Sequence, residues 1–149
     1  MVIREPHLIG DNHRTDLRVS GPGAPRGVLT EFDLTFISTT SKEAQAIAHR
    51  IERQLLSTGQ DRWAIAKAAL DAILEHKAAI KRDTYESRLE ERCTAFTPLA
   101  FTLEGAAHIE ATEVLKYWRG VMHSFSYMFN AISISLLRSR AETFALRLY

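Results

Sequence analysis

From Asp61 to Arg92 the sequence "DRWAIAKAALDAILEHKAAIKRDTYESRLEER" runs for about 32 residues without a glycine or a proline. It is built largely from Ala, Leu, Glu, Lys and Arg, the residues that give up least on entering a helix. One long helix, or two nearly collinear ones, is predicted here, and it dominates what the chain can fold into. Leu70, Ile73, Leu74, Lys77, Ile80, Lys81, Thr84, Tyr85 and Arg88 follow the i, i+3, i+4, i+7 rule. Lys77, Lys81 and Tyr85 therefore stack along the side that also presents apolar residues. Two lysines on an inward seam either snorkel from the edge of a core or serve a site.

Upstream, "RTDLRVSGPGAPRGVLTEFDLTF" carries two runs rich in β-branched and aromatic residues, Asp16 to Ser20 and Val28 to Ser38, around a Gly/Pro cluster that no regular element tolerates. Two neighbouring antiparallel strands are the simplest product. In the second run Val28, Thr30, Phe32, Leu34 and Phe36 point one way, while Leu29, Glu31, Asp33, Thr35 and Ile37 point the other. The face carrying Asp33 is the more polar one. "TSKE" at 40–43 is a capping-box pattern, followed by Ala46, Ile47, Ile51 and Leu55 at helical spacing, so a helix from about Ser41 to Ser57 is predicted.

After the long helix, "CTAFTPLAFTLEG" alternates with period two and ends at Gly105, which predicts a strand with Pro98 at an edge or a bulge. The remainder, Ala106 to Tyr149, is amphipathic to apolar helix, with breaks expected near Gly120 and Ser139. The order strand, strand, helix, helix, strand, helix, helix gives an α/β or α+β layer fold with a small mixed sheet, in one domain spanning 1–149. Its core is expected over about 5–105, with C-terminal helices over 106–149.

Composition excludes several classes. With 46% hydrophobic and 25% charged residues the chain has enough apolar material for a core. Nineteen Lys+Arg against 18 Asp+Glu leave a net charge of +1, so any polyanion site must be local. Cys93 is the only cysteine, which rules out disulfide frameworks and cysteine-based zinc sites; it reads as a small buried apolar residue beside a strand. The start, "MVIREPHLIGDNHR", lacks the apolar core of a secretory signal, and an intracellular location is expected. Between Arg119 and Arg138, "GVMHSFSYMFNAISISLL" has no Lys, Arg, Asp or Glu, but its His123, Asn130 and four serines suit a buried or partner-facing helix rather than a membrane span.

Nucleophile and phosphate-loop motifs are missing, with no G-x-S-x-G, G-x-x-x-x-G-K or H-E-x-x-H. The histidines, His7, His13, His49, His76, His108 and His123, show no metal-ligand spacing and read as surface or capping residues. What remains is Asp16, Asp33 and a lysine of the long helix. Two carboxylates on adjacent strands can hold a hard divalent ion such as Mg²⁺, a lysine beside them can orient an attacking water, and a tyrosine can hydrogen-bond phosphate.

Taken in order, "RTDLRV", "TEFDLTFIS" with its aspartate 17 residues on, "KAAIKRDTY", "FTPLAFTLEG" and "AISISLLRSRA" resemble the restriction-like endonuclease domain of non-LTR retrotransposon polyproteins. The resemblance covers about residues 5 to 145. It implies a PD-(D/E)xK-type core, in which a small mixed sheet flanked by helices presents acids and a lysine to a phosphodiester with Mg²⁺ or Mn²⁺. Carried over, it assigns Asp16 and Asp33 to the metal, Lys81 to the lysine of the following helix with Lys77 as the second choice, and Tyr85 to phosphate. Thr15 stands where the family has proline, and Thr35 where the usual signature has lysine.

The activity implied is metal-dependent nicking of target DNA for a reverse transcriptase. Nuclear location, DNA as substrate and detachment from a longer polyprotein go with it. Arg14, Arg18 and Arg26 are the nearest candidates for contacts to DNA phosphates. A second reading stays open: a non-catalytic interaction domain whose apolar C-terminal helices, with Phe125, Tyr127, Met128 and Phe129, dock onto a partner or a second copy. So does a third, a structure-specific or repair nuclease with the same core.

Overall fold

The computed structural model describes residues 2–4, 15–90, 92–127, 129–131, 133–134 and 137–138. Four strands form one sheet in the order β1-β2-β3-β4: β1 (Val2–Arg4), β2 (Leu17–Val19), β3 (Thr30–Ile37) and β4 (Ala95–Thr102). The first three are antiparallel neighbours, and β4 runs parallel to β3. Between β2 and β3 the Gly/Pro cluster makes two 3-10 turns, Gly21–Gly23 and Pro25–Gly27; Gly21 and Gly27 take positive φ (74° and 70°), which a glycine adopts without strain. The parallel return from β3 to β4 needs a long crossover, supplied by α1 (Lys42–Leu56) and α2 (Arg62–Glu90).

Ser41 caps α1, its side chain accepting from the Ala44 N–H. Both helices cover one face of the sheet, where Ile37 and Ala100 meet Ala44, Ile47, Ile73 and Leu74. On the opposite face, α3 (Ile109–Val121) packs Ala111, Val114 and Trp118 on Val19, Phe32 and Leu99. The fold is therefore a mixed sheet between two helical layers. The expected division at residue 105 needs correction, because α3 is one of those layers and not an extension beyond the core. Its chain ends at Met122, beside the predicted break at Gly120. The described residues from 125 to 138 are helical, and the break expected at Ser139 lies outside the described residues.

The buried row of α2 runs Ile65, Ala69, Ile73, Leu74, Ala78, Tyr85 and Leu89. Ile80, expected on the seam, is 41% exposed. A row spaced by three and four residues drifts around the helix unless both spacings alternate, and the row that stays on the sheet passes through Ala78, then Lys81, then Tyr85. Lys81 thus occupies a position where the packing would otherwise take an apolar side chain. Cys93 is also corrected: it is exposed, in a left-handed turn (φ 53°) that joins α2 to β4. Among the described residues no helix is long and apolar enough to cross a membrane.

Candidate active site

Asp16 sits immediately before β2, where the ladder to β3 runs out. Its backbone N–H donates to Phe32 O at 3.0 Å, and its Oδ2 accepts from the Leu34 N–H at 2.6 Å. The carboxylate thus replaces the backbone acceptor that β2 no longer supplies. The paired register ends at Leu17 and Phe32, and the Asp16 N–H bonds the same Phe32, so the alternation of faces breaks at Asp16; its charge still reaches the Asp33 carboxyl.

Asp33 is 4% exposed, flanked on β4 by the buried Pro98. From α2, Lys81 Nζ reaches to 2.6 Å of Asp33 Oδ2. The approach is off the hydrogen-bonding direction, so that buried oxygen has no aligned donor and the contact is mainly one of charge. Tyr85, one turn further on, stacks its ring on Phe96, 5.1 Å between centroids. Lys81 Nζ lies 5.9 Å from the Tyr85 ring centre, within cation–π range. Burial pushes the Asp33 carboxyl above its ordinary pKa; Lys81 and Tyr85 pull it down, and the charge on Asp16 pushes it up again.

The other expected site residues go elsewhere. Lys77 is paired with Glu43 of α1, which also takes His76 at 3.0 Å. Arg18, expected on DNA, is turned inward: its Nε donates to Glu31 Oε1 at 2.7 Å and its Nη2 to the same oxygen, because Glu31 is fully buried across the strand pair and needs a counter-charge. Arg14 and the side chain of Arg26 lie outside the described residues. His108 caps α3 and bonds Glu75 at 2.8 Å, His49, His76 and His123 are exposed, and His7 and His13 lie outside the described residues.

Among the described residues no group of three or more His, Cys, Asp and Glu is gathered for a metal. Asp16 and Asp33 make a pair, which suits Mg²⁺, an ion that keeps several waters and takes one or two carboxylates. The buried Asp33 Oδ2 already faces the Lys81 ammonium at 2.6 Å, so an ion there would share that carboxylate with the lysine. Glu31 and Thr15 were missed as contributors to this corner. Glu31 shares the inward face with Asp33, and its opposite number on β2 is the cation Arg18; that cross-strand charge pair was the available signal.

Fold and cluster define a class: an α/β domain with two helical layers, in which Asp33 of the mixed sheet meets Lys81 of α2 and Asp16 is held nearby on the Leu34 N–H. No protein-family model matches the chain, and no curated protein or solved structure matches it significantly.

Proposed function

We propose that this domain is a metal-dependent DNA endonuclease of the restriction-like kind, similar to the one that nicks target DNA in non-LTR retrotransposons. The observation that carries this reading is the buried contact between Lys81 and Asp33, 2.6 Å apart, next to Asp16. A lysine in an otherwise apolar row is costly unless it has a partner or a task. Asp16 and Asp33 would hold Mg²⁺ or Mn²⁺, which supplies Lewis-acid polarisation of the phosphodiester when bound. Lys81 donates hydrogen bonds at the mouth of the pair, holding a water in line and offsetting negative charge that develops on the phosphate. Tyr85, which pulls the Asp33 pKa down, is assigned to steadying that carboxylate in place of the phosphate contact that the resemblance implies.

The test is conversion of supercoiled plasmid to relaxed circles by the 149-residue chain with Mg²⁺. Nicking that EDTA abolishes, and that Asp33→Ala loses, is expected. Equal cutting by both proteins, or none by either, rejects the reading.

One observation favours the second reading, an interaction domain. Tyr127 (80%) and Leu137 (65%), with Phe129 and Ile134, are exposed along the C-terminal helical residues. Such a surface suits docking onto a reverse transcriptase or a second copy.

A further inference from the structure

Glu31 is a fully buried carboxylate two residues from Asp33. Its Oε2 accepts from the Thr15 hydroxyl at 2.5 Å, and its Oε1 takes the Arg18 guanidinium. Thr15 is itself fully buried. These two partners stand on either side of Asp16 in the sequence, one residue before it and two after. We infer that Glu31 is a positioning residue, gripping residues 15 and 18 so that the Asp16 carboxylate stays on the Leu34 N–H. Charge-assisted hydrogen bonds to a buried carboxylate resist displacement, because losing Arg18 leaves the charge uncompensated and losing Thr15 leaves one carboxylate oxygen unpaired. A three-residue strand would otherwise be a weak anchor for a catalytic group.

The clamp also gives Thr15 a reason to stand where the resembled family has proline. Proline has no hydroxyl to donate, whereas threonine ties the chain to β3 just before the aspartate. The catalytic consequence of the clamp rests on the endonuclease reading; the clamp itself does not.

Amide hydrogen exchange on the metal-free chain separates the two. The Leu34 N–H reports on the Asp16 carboxylate. The Leu103 N–H, bonded to Ile37 O at 2.9 Å, reports on the β3–β4 pairing at the far end of the sheet. In Thr15→Val and in Glu31→Gln, exchange at Leu34 is expected to quicken on the order of tenfold while Leu103 stays within about twofold, and Thr15→Ser restores Leu34. Nicking by Thr15→Val is expected to lose about tenfold in kcat with KM for DNA unchanged.

Unchanged exchange at Leu34, or equal quickening at Leu34 and Leu103, overturns the clamp, the latter by showing a role in general stability only. Exchange needs neither metal nor DNA. Wild-type chain that never nicks, with Leu34 selectively released in the variants, keeps the clamp and loses the endonuclease reading. Thr15→Val that nicks as fast as wild type, with Leu34 still protected, does the reverse.

Discussion

Lys77 and Lys81 stand one turn apart on α2 and differ in what meets them. Helical spacing alone puts both near the seam, and nothing in that spacing separates them. Glu43, 34 residues before Lys77 and on another helix, takes one; Asp33 on β3 takes the other. Long-range partners of this kind are not legible in a local pattern. The Lys77 ammonium, and His76 after it, hold the Glu43 carboxyl below its ordinary range. Because that folded-state value is depressed, the contribution to stability is present above the ordinary glutamate pKa and lost as pH falls below about 4.5. In Lys77→Ala the ¹³C titration midpoint of Glu43 is expected to rise toward the ordinary value, and an unmoved midpoint would count against the pairing. Arg18 makes the opposite lesson: sequence offered it to DNA, and burial of Glu31 claimed it. Arg18→Ala leaves that carboxylate uncompensated and should cost about 3 kcal/mol in urea unfolding; a loss under about 1 kcal/mol would place Arg18 at the surface.

Elements were more readable than partners. Ser41 caps the start of α1, one residue after the Thr40 that the capping-box pattern would place there, so Glu43 falls at the second helical position and pairs with Lys77 and His76 instead of closing a box; the Gly/Pro-free run became α2 almost end to end. Ser41→Ala should cost about 1 kcal/mol. Pro98 was expected at an edge or a bulge; it stands in the edge strand β4, and the ladder gives the reason. The N–H groups of Ala95 and Leu103 turn inward to Leu29 O and Ile37 O, so the even-numbered nitrogens face outward, where Thr102 N–H finds Ala106 O. Proline at 98 lacks a donor on the side that β3 does not use. The strand β1 was missed, because three residues beside a charged stretch carry no period to detect, and their pairing partner lies 17 residues ahead at Val19. On the other face, Trp118 meets Phe32 edge-on at 5.3 Å and donates its indole N–H to Gly23 O at 2.8 Å, locking α3 to both the sheet and the Gly/Pro loop. Phe32→Ala should therefore cost about 3–5 kcal/mol in denaturant unfolding, and a loss below about 2 would mean that α3 does not depend on this contact.

At the scale of the whole molecule, the layer fold followed from element order, while the parallel pairing of β3 with β4 and the placing of α3 opposite α2 did not. Those depend on which apolar faces meet, and alternating strands such as β3 offer two. A net charge of +1, with Arg18 and Lys77 committed internally, leaves a modest field for DNA. Binding to duplex should weaken with salt at a log–log slope shallower than about −3 by fluorescence anisotropy; a much steeper slope would reveal a broad basic surface. The central claim is that one corner of the sheet, made by Asp16, Asp33 and Lys81, cuts DNA, and that the neighbouring lysine does not take part. Plasmid nicking with Mg²⁺ by wild type, Asp33→Ala, Lys81→Ala and Lys77→Ala, each shown to be folded, tests it most directly. Nicking by wild type and Lys77→Ala is expected at rates within about threefold, with a loss of at least about a hundredfold in Asp33→Ala and Lys81→Ala. Equal rates for Lys81→Ala and wild type would contradict it.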